Sequence, residues 1–136
     1  MDADTAPLIV VAGVIERDGR FLITRRLKHT HLADLWEFPG GKCERGETHV
    51  ACLTRELIEE LGVAAEIGDE ILSTEHRYSD RVVRLHFRRC RIADEPRPML
   101  GQEMRWVLSS ELLALPFPDA DRDLIATLVA SSRPTR

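Results

Sequence analysis

The stretch FPGGKCERGETHVACLTRELIEELGV, residues 38–63, joins a glycine-rich loop to an amphipathic helix. From Thr48 to Leu61 the apolar residues Val50, Leu53, Leu57 and Leu61 recur in steps of three and four, the period of a helix with one buried face. Thr48 is placed to cap its N-terminus and Gly62 its C-terminus. At roughly 100° per residue, Glu56, Glu59 and Glu60 fall within about 100° of one another, away from the Leu53, Leu57, Leu61 stripe. One face is core and the other carries carboxylates. Clustered carboxylates repel one another, so such a face is either well solvated or completed by a cation. Mg²⁺ is the expected ion, with Mn²⁺ as its substitute, because it is held by few carboxylates together with substrate phosphates. Arg55 lies beside the cluster, where it can orient one carboxylate through a bidentate pair. Taken alone, an R-E-x-x-E-E run more often marks a solvated helix face.

The spacing around it changes that reading. From Gly41 the chain runs glycine, five residues, Glu47, seven residues, Arg55-Glu56-Leu57, one residue, Glu59-Glu60, one residue, Gly62-Val63. Seven fixed identities at such offsets would arise by chance on the order of once in ten million chains or less. This spacing is the signature of the Nudix hydrolases, which the chain resembles over nearly its whole length. The wider context, Leu35-Trp36-Glu37-Phe38-Pro39-Gly40-Gly41-Lys42 followed by Gly46-Glu47-Thr48, is similar to the MutT-type nucleoside triphosphate pyrophosphohydrolases.

The resemblance implies an α/β Nudix fold, a mixed sheet sandwiched between helices. It also implies release of a nucleoside monophosphate and pyrophosphate, in the service of nucleotide-pool sanitation and so of DNA repair. Glu56, Glu59, Glu60 and the Gly40 carbonyl would be metal ligands. Arg26 would contact the nucleotide, Phe38 would help form the base pocket, and Tyr78 and Arg81 would lie near the nucleotide. A carboxylate of the cluster, Glu47 or Glu103 would orient or deprotonate the attacking water. Two departures stand out. Where MutT-type enzymes carry a further metal-binding glutamate, six residues before the late-strand Trp106, this chain has Leu100, and Glu103 is the nearest acid that could take over. At Asp121 the guanine-selective enzymes usually have asparagine. An ionised aspartate only accepts hydrogen bonds, whereas asparagine also donates. The MutT-type context ranks 8-oxo-dGTP as the first substrate, and the chemistry of Asp121 puts CTP or dCTP and modified cytosine nucleotides close behind. A non-catalytic nucleotide-binding module is the rival from another class, but all four box glutamates are intact. A Nudix enzyme for another diphosphate, such as ADP-ribose, is a further rival.

The remaining sequence agrees with one small enzyme. A chain of 136 residues makes one domain, spanning 1–136 with frayed ends at 1–7 and 131–136, and buries roughly two-thirds of its unfolded surface. Cys43, Cys52 and Cys90 lack disulfide or zinc spacing. With no leader pattern and no long apolar run, a cytoplasmic protein is expected, without membrane partners. The formal charge of -4 gives no attraction to nucleic-acid polymers, and a monomer or weak dimer is expected.

In chain order, Leu8 to Ile15 reads as a strand buried on both faces. It forms a hairpin with Phe21 to Thr24 across the turn at Arg17-Asp18-Gly19, closed by Arg25-Arg26. His29 and His31 fall in a polar stretch, read as exposed or as a lid. Trp36 and Phe38 read equally well as core. Ile67 to Arg77 and Arg81 to Ile92 form a second hairpin in which Val83, Leu85 and Phe87 alternate with Arg84, His86 and Arg88. The basic face reads as solvated or, alternatively, as drawing in polyphosphate. A strand at Met104 to Leu108, a short helix capped by Ser109 and a last helix carrying Leu124, Ile125, Leu128 and Val129 complete the chain.

Overall fold

A computed structural model describes residues 6–26 and 34–131. The readings of His29 and His31, and of the outermost residues at both chain ends, lie outside the described residues. The elements are β1 (Leu8–Arg17), β2 (Arg20–Arg25), β3 (Trp36–Glu37), β4 (Gly40–Lys42), α1 (His49–Leu61), β5 (Ala65–Arg77), β6 (Val82–Ile92), β7 (Glu103–Leu108), α2 (Ser109–Leu112) and α3 (Arg122–Ser131). A 3₁₀ turn at Asp119–Asp121 leads into α3.

Strand β1 organises the sheet. Its first eight residues, Leu8 to Ile15, run parallel to β6, Leu8 opposite Val83 and Ile15 opposite Cys90. On its other side Val10 to Ala12 meet β4 antiparallel. Only Glu16 and Arg17 pair with β2, so the first hairpin is much shorter than its sequence pattern suggests. Strand β2 continues outward to β3 and, along its whole length, to β7. The β5/β6 hairpin is antiparallel, with register shifts between Ile67 and Leu72.

Alternate residues of β1 enter two separate cores, as a strand buried on both faces should. Val11 and Ile15 pack with Cys52, Leu53, Leu57 and Leu61 of α1. Ala12 and Val14 pack on the opposite face with Phe21, Phe38, Phe87 and the α3 residues Leu124, Ile125 and Leu128. Leu53, Leu57 and Leu61 are wholly buried, and burial of each contributes about 1.5–3 kcal/mol. Val50, expected on this stripe, is 44% exposed, and Cys52 takes its place in the core. The caps of α1 are as read: the Thr48 hydroxyl accepts from the Ala51 N–H, and Gly62 ends the helix at φ 66°. At α2 the cap differs. Ser109 is already helical, and the free Leu108 N–H is taken by the Glu111 carboxylate at 2.7 Å. Ser131, read as the start of a frayed tail, closes α3 with its hydroxyl donating to the Thr127 carbonyl.

Candidate active site

The glycine pair on β4 sets how closely α1 approaches the sheet. A Cβ at Gly40 would overlap the Val11 carbonyl, and one at Gly41 would overlap the Glu56 carboxylate. Without side chains there, Glu56 and Glu60 turn into the groove between α1 and β4, and the Gly40 N–H points at Glu60 Oε1, 3.4 Å away. Glu59 remains outside, its side chain 55% exposed. The three carboxylates thus share a helix side but not an environment.

Arg55 holds one end of this group. Its Nε and Nη2 grip Glu47 at 2.7 and 2.9 Å, the bidentate geometry expected of it. Its Nη1 donates to Glu56 Oε2 at 2.9 Å and lies 3.4 Å from Glu59, and Nη2 also donates to the Lys42 carbonyl. Glu47 Oε1 accepts a further bond from the Glu44 N–H. The Arg55 guanidinium, aided by that N–H, holds the Glu47 carboxyl at about 2.

The other end is different. Burial raises the Glu60 carboxyl to about 8, and the nearby Glu37 and Glu56 carboxylates push in the same direction. Burial also raises Glu37, against the opposing pull of Arg26, which donates to it at 2.7 Å. Burial and the Glu37 charge together raise Asp121, only 5% exposed, to about 7.

A cleft of about 660 Å³ joins these groups. Arg26, Glu37, Phe38, Gly40, Glu60, Tyr78, Arg81 and Asp121 all line it. The side chains expected to touch substrate, Arg26, Phe38, Tyr78, Arg81 and Asp121, are therefore in one place, although they come from four separate parts of the chain. Phe38 serves two purposes. It stacks on Phe117 and meets Phe87 edge-on within the core, and it also forms cleft wall. Trp36 is core alone, with Arg25 and Arg105 over its ring.

Residues 10–127 match the family described as NUDIX domain. The chain belongs to the Nudix family. It is 36% identical over 124 residues to a CTP pyrophosphohydrolase of Escherichia coli, covering 89% of this chain and 90% of that one. It is 39% identical over 127 residues to a putative 8-oxo-dGTP diphosphatase 2 of Mycobacterium tuberculosis, covering 88% and 86%. The solution structure of the E. coli ORF135 protein superposes with a TM-score of 0.84 at 34% identity, covering 97% of this chain and 96% of that one. The mixed sheet with helices on both faces is thus the Nudix fold.

Nudix hydrolases generally use a divalent metal ion. The residues here fit one. Glu56 and Glu60 bring hard oxygen donors against glycine backbone, and burial, with the Glu37 and Glu56 charges, raises Glu60, a cost to its ionised form that a bound cation would offset. Glu59 and Gly40, the other two expected ligands, lie on the same two elements.

Glu103 does not join this group. It sits opposite Arg25 in the β2/β7 register and pairs with it at 3.1 Å, its side chain 53% exposed. Strand alternation turns its neighbour inward instead: Gln102 is buried and donates to the Glu60 carbonyl at 3.0 Å. Leu100 lies beside Glu37 and Glu60, leaving apolar surface where the family pattern has an acid. The basic face of β6 is also elsewhere. Arg84 pairs with Glu75, His86 with Glu70, and Arg88 with the Gly68 carbonyl, while the opposite face, Val83 and Leu85, lines the cleft. Sequence reading missed Glu37. The alternation Trp36-Glu37-Phe38, an acid between two buried aromatics, is the signal that could have found it.

Proposed function

We propose that this chain is a Mg²⁺-dependent nucleoside triphosphate pyrophosphohydrolase that releases a nucleoside monophosphate and pyrophosphate, with 8-oxo-dGTP its first-ranked substrate. The observation that carries the reading is the single cleft in which the Glu60 end of the acidic helix meets Arg26, Phe38, Tyr78, Arg81 and Asp121. Hydrolysis at phosphorus requires neutralised phosphate charge and a water held in line. Bound by Glu56, Glu59, Glu60 and the Gly40 carbonyl, Mg²⁺ would supply that neutralisation and polarise the phosphoryl group.

The remaining work falls to the chain's own residues. Both Glu47 oxygens are committed to Arg55 and to the Glu44 N–H, so Glu47 acts by fixing Arg55. Arg55 in turn orients Glu56. Glu56 engages Arg55 through one oxygen, and Glu59 is held only at 3.4 Å. These two carboxylates retain oxygens that can orient or deprotonate the water. Arg26, fixed on Glu37, presents its cationic side chain to the nucleotide.

Asp121 would read the base. With its carboxyl raised to about 7, it exists in both forms near neutrality. The protonated form donates and accepts, which suits O6 and the N7 hydrogen of 8-oxoguanine. The ionised form only accepts, which suits the N4 amine of cytosine. CTP or dCTP hydrolysis is therefore the second reading, and the relatives at 36 and 39% identity carry one name of each kind. The test is a panel of ordinary and modified nucleoside triphosphates with Mg²⁺, scored for pyrophosphate release. The account expects 8-oxo-dGTP to give the highest kcat/KM with cytosine nucleotides next. Release of orthophosphate, or no turnover of any triphosphate, would overturn it.

A further inference from the structure

Away from the acidic cleft, three ligand-bearing side chains from three elements converge over the α1 side of the sheet. His49 is the first residue of α1, Glu70 lies on β5 and His86 on β6. One nitrogen or oxygen from each lies within 4.8 Å of the others. His86 Nδ1 is 2.9 Å from Glu70 Oε1, and the two imidazole rings stand 4.3 Å apart, tilted by 45°.

A bulge creates this arrangement. Ser73 faces His86 and Glu70 faces Arg88, so three residues of β5 span what two residues of β6 span. In a regular strand, positions 70 and 73 would point to opposite faces. The extra residue brings Glu70 round to the face of His86, the kind of re-aiming that bulges produce. Arg88, two residues on along the same face of β6, donates to the Gly68 carbonyl at 2.8 Å.

We propose that His49, Glu70 and His86 form a second metal site, specific for a borderline transition-metal ion of the Zn²⁺ class. Two imidazoles and one carboxylate are the donor set such ions select, whereas the all-oxygen groove at Glu56 and Glu60 suits hard ions. Tetrahedral bonds of about 2.1 Å place ligand atoms roughly 3.4 Å apart, so small side-chain rotations close the triad around an ion. The ion would sit between His86 Nδ1, Glu70 Oε1 and the His49 ring, and water would complete its coordination. Residues 49 and 56 are separated by about 10 Å along the helix axis, so the two sites can be filled independently.

The experiment is calorimetric titration of the metal-free protein with Zn²⁺ in excess Mg²⁺, repeated with Co²⁺ to read its ligand-field absorption. Wild-type protein should bind one equivalent, with a tetrahedral Co²⁺ spectrum. Even loss of an outer-shell partner costs 10- to 100-fold in metal affinity, so His49→Ala and His86→Ala should each weaken Zn²⁺ binding by about 100-fold or more. The polar variants His49→Gln and His86→Gln should do the same while melting like wild type. All four should keep Mg²⁺-supported turnover, and Glu60→Gln should keep Zn²⁺ binding. Failure of wild-type protein to bind Zn²⁺ above the Mg²⁺ background would overturn the proposal. So would unchanged affinity in the histidine variants, or loss of the site in Glu60→Gln.

Discussion

The two ends of the acidic group around α1 carry the same kind of side chain in opposite electrostatic states. At Glu47 and Glu56, Arg55 supplies three charge-assisted contacts, and the Glu47 carboxyl sits at about 2. At Glu60, with Glu37 and Asp121 across the cleft, burial and mutual repulsion hold two of the carboxyls at about 8 and about 7. Glu37 also stays raised, despite its pair with Arg26. One end is a finished ion-pair network that sets geometry. The other is a desolvated group of acids in a groove large enough to admit a substrate, where a divalent ion would offset the carboxylate charge and bridge to a substrate's polyphosphate.

The sharpest way to break this comparison is to neutralise the unfinished end. Glu60→Gln or Glu59→Gln should lower kcat by about 10³-fold, the several kcal/mol expected of a metal's charge stabilisation, and chelation should abolish turnover. Steady-state kinetics with Mg²⁺ and with EDTA checks this, and full activity in either case contradicts it. The finished end should respond less strongly but in two ways. Arg55→Ala should lower kcat by about 10- to 100-fold, as loss of a positioning partner does, and should also lower the melting temperature. Wild-type values for both would remove its role. Asp121→Asn supplies the smallest effect and the most specific one. It should raise the kcat/KM ratio of 8-oxo-dGTP to dCTP by about 10-fold, the worth of one hydrogen-bond preference. In wild-type protein the same ratio should fall as pH rises through about 7, because the donor is lost. An unchanged ratio across the panel would show that Asp121 does not read the base.

What the sequence made legible was what local periodicity and spacing encode. The α1 stripe, its Thr48 and Gly62 caps and the bidentate Arg55 all followed from positions within one helix and the loop before it. Features that depend on distant pairing were hidden. β3 and β4 lie in a glycine- and proline-containing segment with little strand propensity, and they exist because β1 and β2 offer them edges. Glu103 was attractive by proximity to Trp106, yet the β2/β7 register gives it to Arg25 and turns Gln102 inward. The basic face of β6 looked available for phosphate until β5 supplied Glu70 and Glu75 opposite it. The bulge that aims Glu70 has no signature in one strand's sequence.

The central claim is that the Glu60 end is a desolvated acidic site that a divalent cation completes, and its pH-dependent stability tests this most directly. Glu60 has a folded pKa of about 8, above the ordinary 4.5. Its contribution to stability is therefore complete below 4.5 and is lost as pH rises through about 8. Glu47 has the opposite sign, and its contribution is lost only as pH falls from 4.5 toward about 2. Melting temperatures of metal-free wild type and Glu60→Gln, measured between about pH 5 and pH 9 with and without Mg²⁺, separate the two. The account predicts that metal-free wild type loses stability across this window, that Glu60→Gln flattens the loss, and that Mg²⁺ restores wild type but not the variant. Parallel, Mg²⁺-independent curves for the two proteins would contradict it.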